Sequence, residues 1–178
     1  ADAQFPTVDF PVVVVVPAYR GASPEVVESE VSKQIEEAVN SIAGINAHGN
    51  SVALVAGGTG AITQTGALQN VTALSVTSGG ATTLDSSSNT IGSLGAVTSG
   101  GALYVRDSAG GLSVSGAVQA TTGDATIRTS GDLTLDTGST VTATAGNLSV
   151  STEGAGNFIN NATAGANVFT VGSGDRWL

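Results

Sequence analysis

Histidine is the side chain best suited to proton transfer near neutral pH, and this chain contains one, His48. A catalytic histidine needs a nucleophile within hydrogen-bond reach and an acidic group that orients its ring. The sequence around His48 carries no signature for either partner. We therefore interpret His48 as a solvated residue between two segments rather than as a catalytic base.

Several aspartates of the C-terminal part could in principle bind a metal or act as paired acids. The ones considered are Asp107, Asp124, Asp132, Asp136 and Asp175. Calcium-binding β-rolls repeat a Gly-Gly-x-Gly-x-Asp pattern, and that pattern is missing here. A catalytic pair such as Asp132 with Asp136 would need a defined separation in a cleft. Because aspartate is also a common turn residue, the sequence favours turns over either kind of site.

The remaining motifs predict structure rather than chemistry. Gly57-Gly58-Thr59-Gly60 lacks the Lys-Ser or Lys-Thr that follows in a phosphate-binding loop. The aromatic residues near the C-terminus favour a buried cap on a repeat structure over a platform for stacking sugars. These residues are Phe158, Phe169 and Trp177. The chain has no cysteine, so it can form neither a disulfide nor a thiolate metal site.

Three asparagines match the N-glycosylation pattern. They are Asn70, Asn147 and Asn161. Aromatic residues make up only 4 % of the chain and charged residues 11 %, against roughly 25 % charged in an ordinary soluble domain. We therefore predict that the chain is not an enzyme and has no catalytic, cofactor-binding or metal-binding residue.

Charge and hydropathy also restrict the partners. The net charge of −9 disfavours nucleic acid and anionic lipid, since phosphate binding depends on clustered Lys and Arg. Arg106, Arg128 and Arg176 are scattered along the sequence. The longest apolar run, Pro11 to Ala18, is far shorter than the roughly 18 residues that span a bilayer. No signal-peptide pattern is visible. We expect no direct membrane insertion by this chain.

The composition of the chain changes at about His48, and the structural elements that would position any site fall into two groups on either side of it. Residues 1–48 hold all four prolines and the only lysine, Lys33, whereas residues 49–178 hold 23 of the 25 glycines among Ser, Thr, Ala, Val and Leu. This change in composition predicts two parts of separate origin. The parts are residues 1–48 and residues 49–178.

The first part is predicted to be one strand followed by one amphipathic α-helix. Phe10 to Tyr19 contains five consecutive valines, typical of a strand buried on both faces. Ser23 is a good N-cap and Pro24 a good first residue for a helix over residues 24–42. A strand buried on both faces needs neighbours, so this unit cannot be a complete fold by itself.

Stretches of this first part resemble the resistance-nodulation-division efflux transporters, at the start of their first porter subdomain. The stretches are Phe5 to Val13, Tyr19 to Glu25 and Ile35 to Ile45. Arg20 departs from the family, which commonly has Pro there. The resemblance, over about residues 5–46, implies a periplasmic portion of an inner-membrane transporter. Because the family's membrane helices and their Asp and Lys relay are not in this chain, transport by this chain alone is excluded.

The second part is predicted to be a repeating β-structure. The tripeptide Leu-Ser-Val begins at Leu74, Leu112 and Leu148, at intervals of 38 and 36 residues. Half of that interval gives a repeat of about 19 residues, close to the range of solenoids. Short alternating strands, apolar inside and mostly Ser or Thr outside, end in Gly-rich turns. We expect the three leucines to lie in the core.

These patterns favour a mainly β fold, a right-handed parallel β-helix of about six or seven coils. Small residues suit the tight corners of such a solenoid, and its repeats are nearly equivalent. A Gly/Ser-rich disordered linker and a β-sandwich are the alternatives. The regular placement of Leu, Ile and Val makes both less favoured.

This part resembles the filamentous haemagglutinin-like adhesins of two-partner secretion systems. The stretches that carry the resemblance are Asn89 to Leu94, Leu103 to Val114, Gly131 to Leu135, Gly156 to Asn161 and Val171 to Leu178. The resemblance implies an extracellular β-helical stalk or adhesive filament on the bacterial cell surface. The family's secretion domain is not visible in the chain.

Three functions are therefore compared. The favoured one is a non-enzymatic structural and adhesive segment of a secreted or surface-exposed protein. Its expected partners are a protein or glycan on a cell surface and, by end-to-end or edge contact, other copies of itself. The alternative is a transporter fragment with a β-rich tail. A polysaccharide-acting enzyme on a β-helix is the weakest, because its clustered acids and bases are missing.

Overall fold

The computed structural model describes residues 42–43, for their backbone, and residues 50–163 and 168–178. These residues contain strands and no helix. The strands are β1 Ile42–Ala43, β2 Ser51–Ala56, β3 Ile62–Thr63, β4 Ala73–Ser78, β5 Thr82–Leu84, β6 Ser93–Ser99, β7 Leu103–Asp107, β8 Leu112–Val114, β9 Ala117–Ala120, β10 Ala125–Thr129, β11 Leu133–Leu135, β12 Thr140–Ala143, β13 Leu148–Thr152, β14 Phe158–Asn160 and β15 Phe169–Val171.

The strands wind into a parallel β-solenoid with two sheets. One strand from each coil contributes to a first sheet of six in the order β1-β3-β5-β7-β10-β13, and every pair in it is parallel. The remaining nine strands form the second sheet, also parallel. Six successive strands in the first sheet correspond to about five turns. A solenoid is therefore confirmed, and an antiparallel β-sandwich and a disordered linker are not what these residues form.

The second sheet forks at β6. In the first coils it is a single row, β2 beside β4 and β4 beside β6. The N-terminal end of β6 then pairs with β8, and its C-terminal end pairs with β9. Two branches follow from there, β8-β11-β14 and β9-β12-β15. Each later coil consequently has three strands instead of two.

The fork arises because one corner of the coil lengthens. A single residue separates Leu74 from Val76 in β4, and two residues separate their partners Leu94 and Val97 in β6. Three, five and eight residues separate the corresponding pairs in the next coils, which are Val114 and Val118, Leu135 and Val141, and Asn160 and Phe169. A straight strand cannot hold the added residues, so it breaks into two strands joined by a turn.

The predicted repeat of about 19 residues and the predicted six or seven coils are not confirmed. Residues that hydrogen-bond across adjacent coils are 20 apart at Asn70 and Thr90, where the Asn70 backbone amide donates to the Thr90 hydroxyl, and 23 apart at Asp124 and Asn147. The first two Leu-Ser-Val tripeptides lie in β4 and β8, which both pair with β6 in the second sheet, and the third lies in β13 of the first sheet. Leu74 aligns through Leu94 with Val114 and not with Leu112, so two coils span 40 residues there and the 38-residue interval is not a multiple of the coil.

The core is confirmed as a single stack of aliphatic side chains. Leu74, Leu112 and Leu148 are at most 2 % exposed, as predicted. Most strands alternate buried and less buried residues, as in the buried–intermediate–buried pattern of β5, β8 and β11. Full burial of one such side chain stabilises a fold by roughly 1.5 to 3 kcal/mol. The alternation of apolar and Ser/Thr positions therefore determines which side of each strand faces inward.

Two predictions fall mostly outside the described residues. The predicted strand over Phe10 to Tyr19 lies wholly outside them. So does the predicted helix over residues 24–42, except for its last residue: Ile42 belongs to β1 and pairs with Ile62. The right hand of the solenoid and its division from the first part at His48 stay predictions.

Close contact between the turns that follow β4 and β6, in two adjacent coils, gives the first testable prediction. A Cβ on Gly100 would collide with the backbone of Gly79 in the preceding coil, whereas a Cβ on Gly57 meets nothing within 4 Å. We expect Gly100→Ala to lower the free energy of unfolding by about 1 to 3 kcal/mol, because the backbone must shift to admit the methyl group. Urea unfolding followed by circular dichroism measures the change.

Gly57→Ala is the matched control, and its expected change is within about 0.5 kcal/mol. Equal losses in the two variants would show that the coils do not approach each other at Gly100 as the structure has them.

Candidate functional site

The residues singled out from the sequence do not converge on one site. His48 lies outside the described residues. Within the described part of the chain, no three His, Asp or Glu side chains are close enough to hold a metal ion. Gly57 to Gly60 forms a plain turn, in which the amide of Gly60 donates to the carbonyl of Gly57 at 2.9 Å. The candidate site must therefore be built from what the strands place together.

Asp124 and Asp132 bind backbone in the following coil. The Asp124 Oδ1 accepts the amide of Asn147 at 2.8 Å, and the Asp132 Oδ1 accepts the amide of Asn157 at 2.7 Å. Asn147 continues the first series, since its own Oδ1 accepts the amide of Arg176 at 3.2 Å. These side chains sit just before strands and join successive coils, which is the kind of turn role that the sequence favoured.

The imagined pair of Asp132 and Asp136 is not assembled as a catalytic pair. The two residues flank β11, and four residues of extended chain put their Cα atoms roughly 13 Å apart. A glycosidase pair lines a cleft that holds the sugar, and neither Asp132 nor Asp136 lines either of the two cavities described below. The Asp132 carboxylate is also engaged with Asn157.

Asp107 is the buried carboxylate of the solenoid. Its side chain is inaccessible to solvent, and it accepts the amide of Ile91 on Oδ1 and the hydroxyl of Thr129 on Oδ2, both at 2.9 Å. Burial raises the pKa of Asp107 above its usual value, although these hydrogen bonds act in the opposite direction. Asp107 thus hydrogen-bonds to residues of the coils on both sides of its own. Burial makes its charged form less favourable than it would be in water.

The aromatic residues near the C-terminus lie together at the last coil. Phe158 and Phe169 are 6.1 Å apart between ring centroids. With Trp177 they line an apolar cavity of about 180 Å³, whose other walls are Leu148, Val150 and Leu178. The prediction that they form a buried cap is wrong for Phe158 and Trp177, which are 46 % and 68 % exposed. No strand of the described residues pairs beyond β14 to cover them.

A second, polar groove runs across the corner before β4 and β6. It has a volume of about 440 Å³ and is lined by backbone and by Asn70, Thr72 and Thr90 among others. Asn70 adopts a left-handed backbone conformation, with φ of 54°, and its amide donates to the Thr90 hydroxyl at 2.6 Å. No charged side chain lines this groove.

A charged cluster assembled by the described residues lies on the outer face of the first sheet. Arg106 in β7 is in register with Arg128 in β10, and both contact Glu153, which follows β13. The distances are 3.0 Å from the Arg106 Nη2 to Oε2 and 3.4 Å from the Arg128 Nε to Oε1. Arg106 and Arg128 are scattered along the sequence, and the fold brings them together because 22 residues equal one coil here.

The surroundings of the arginine pair are polar. Interaction with the Tyr104 hydroxyl, and to a smaller degree with the Glu153 carboxylate, raises the pKa of Arg128 above its ordinary value. Two polar atoms of the cluster are shut off from solvent with no hydrogen-bond partner, the Arg106 Nε and the Ser151 Oγ. The Arg106 Nε can only donate a hydrogen bond, whereas the Ser151 Oγ can donate or accept one.

Comparison with known proteins concerns mainly the N-terminal part. Residues 3–57 match the model of the AcrB/AcrD/AcrF family. No curated protein matches the chain, and no solved structure matches it. The efflux-transporter resemblance is thereby confirmed, while the adhesin resemblance is supported by the fold alone. The match extends nine residues past His48 and includes β2, the first full-length strand of the solenoid.

The described residues form a parallel β-solenoid. The stretch that is similar to efflux transporters ends at residue 57 and therefore includes β2 of this solenoid. The described ranges contain no helix long and apolar enough to cross a membrane.

Burial of Asp107 gives a pH-dependent prediction. Because its pKa is raised in the folded state, its contribution to stability is present in full below the unfolded value of about 3.9 and is lost as the pH rises through the raised value. Asp107→Asn keeps an acceptor for Ile91 and removes the buried charge. We expect this variant to become more stable than the native chain as the pH rises above the raised pKa of Asp107. Urea unfolding at a series of pH values measures the difference.

Two further variants make the comparison specific. Asp107→Ala leaves the Ile91 amide and the Thr129 hydroxyl without an acceptor, so it should lose about 1 to 3 kcal/mol throughout. Asp85→Asn removes a carboxylate from an exposed position and serves as the control for net charge. A pH dependence that is the same in Asp107→Asn and the native chain would contradict the role of Asp107.

Proposed function

We propose that the chain is a non-enzymatic structural and adhesive segment of a secreted or surface-exposed bacterial protein. The observation that carries the proposal is the register of the first sheet, which repeats outward side chains in columns. One column contains Thr83, Tyr104, Thr126 and Ser149, and its neighbour contains Arg106, Arg128 and Ser151. A surface that repeats one kind of side chain every 4.8 Å or so suits contact with an extended partner.

The aspartates support a structural role over a catalytic one. Asp107, Asp124 and Asp132 each accept backbone amides from a neighbouring coil, and such bonds hold coils together. A catalytic acid needs a free carboxylate beside a cleft where substrate sits. The proposal therefore assigns these residues to the stability of the solenoid.

Self-association is part of the proposal. Among the described residues, β14 and β15 pair on one side only, and Phe158 and Trp177 are exposed beside them. An unpaired parallel edge next to apolar side chains favours addition of further strands. End-to-end contact between copies would pair the free edges of β14 and β15 and would cover the exposed aromatic side chains.

The alternative is a fragment of an efflux transporter with an appended β-rich tail. The match of residues 3–57 to the AcrB/AcrD/AcrF family favours it. In that case the chain would be a periplasmic portion of an inner-membrane protein. The adhesive proposal is preferred because the solenoid comprises most of the described residues.

Cell fractionation distinguishes the two functions. An antibody against residues 50–178 is applied to intact source cells and to the separated inner-membrane, outer-membrane and secreted fractions. The adhesive proposal predicts labelling of intact cells or of the secreted fraction, with loss of labelling after external protease. A cytoplasmic protein is the control for cell integrity. Signal confined to the inner membrane, and hidden in intact cells, would favour the transporter fragment and contradict the surface role.

A further inference from the structure

The arginine pair on the first sheet lacks a complete set of acceptors. Arg106 and Arg128 are directly opposite each other on adjacent strands, where side chains of like charge destabilise a sheet. Glu153 is the carboxylate that contacts both of them. Within these three side chains one negative charge faces two positive ones, in a chain whose net charge is −9.

Glu153 also bonds both guanidinium groups incompletely. It contacts Arg106 through one nitrogen, Nη2, and Arg128 through Nε at 3.4 Å, longer than the roughly 2.7 to 2.9 Å of a strong charge-assisted bond. Guanidinium groups bind carboxylates best through two parallel bonds. The shared Glu153 cannot provide two such bonds to both arginines, so one arginine is left for another carboxylate.

Two buried atoms without partners provide independent support. The Arg106 Nε, which can only donate, and the Ser151 Oγ, which can donate or accept, are buried, and each has no hydrogen-bond partner. Leaving a buried polar atom unsatisfied costs free energy, so such atoms point to an arrangement that is completed by something else. Ser151 is in register with Arg128, and Arg128 with Arg106, so both unsatisfied atoms belong to one column.

The exposed side of the cluster is Arg128. Its side chain is 45 % exposed, against 34 % for Arg106 and 31 % for Glu153. A carboxylate arriving from solvent would therefore bind the Arg128 guanidinium. Glu153 would then be free to bind Arg106 through both Nη2 and Nε, which would satisfy the buried Nε. Ligand binding thus completes two arginine–carboxylate pairs where the structure has one shared carboxylate.

The column beside the arginines indicates what bears the carboxylate. Tyr104, Thr126 and Ser149 lie next to Arg106, Arg128 and Ser151, so a row of hydroxyl groups runs parallel to the charges across three coils. Hydroxyl groups of a sugar can bond to such a row, and a sugar ring can lie on the tyrosine ring. A peptide would rely more on apolar pockets at the centre of its contact.

We propose that Arg106, Arg128 and Ser151, with Tyr104 beside them, form a binding site for the carboxylate of an acidic sugar. The site names a ligand class for the adhesive surface, and for its biological meaning it rests on the proposed function. The binding itself is a property of the purified chain.

The test is calorimetric titration of the full 178-residue chain with trigalacturonic acid at low salt. Binding is expected for the native chain, and Arg128→Ala should weaken it at least about tenfold, since each lost charge-assisted pair changes affinity by that order. Arg176→Ala is the matched control, because it removes an equal charge from outside the cluster, and it should bind within about twofold of the native chain.

A second pair of variants keeps the result interpretable. Arg128→Lys retains the charge but lacks the planar fork, so it should fold normally and still bind more weakly than the native chain. Glu153→Gln removes the competing carboxylate and should bind more tightly. Thermal unfolding of every variant shows whether the fold is intact.

Four results would overturn the site. The first is absence of any binding by the native chain, and the second is equal binding by Arg128→Ala and the native chain. The third is equal binding of neutral trigalactose, and the fourth is equal binding of a triglutamate peptide, which would indicate a general anion surface. None of these results bears on cell-surface labelling, so failure of the site and failure of the proposed function remain distinguishable.

Discussion

In-register parallel pairing between successive coils is the constraint on which the rest of the structure depends. The N–H and C=O groups of a strand in a solenoid point to the coils on either side, so a coil is satisfied only if its neighbours keep the register. The first sheet keeps it from β3 to β13. Buried side chains then lie above one another in columns, as Leu133 does above Leu112 and Ala125 above Leu103.

The same constraint explains why polar residues can be buried. Ser78 and Ser99 occupy one inward column, where their hydroxyls donate to the carbonyls of Gly80 and Ala102 at the turn. Asp107 occupies another and accepts an amide and a hydroxyl from two neighbouring coils. A polar side chain in a fixed register meets the same backbone groups each time, so its hydrogen bonds can be completed without water.

The alternation of apolar and hydroxyl residues was enough to predict the solenoid and its core. It predicts which side of a strand is inside, and Leu74, Leu112 and Leu148 are buried as expected. It does not predict where in the coil a strand lies, because a strand on any face of the solenoid has the same local pattern. The Leu-Ser-Val tripeptides therefore suggested a false period. The true period changes along the chain as one corner gains residues, so no constant interval could show it.

The arginine pair shows that the candidate site, too, could not be found from the local sequence pattern. Arg106 and Arg128 are one coil apart, and only a correct coil length of 22 residues at that point brings them together. Their position also follows from the fork. The second sheet divides at β6, so its columns break where the corner lengthens, whereas β7, β10 and β13 stay in register over five residues each. A surface that acts through three consecutive coils therefore belongs on the first sheet, because its columns continue unbroken through those coils.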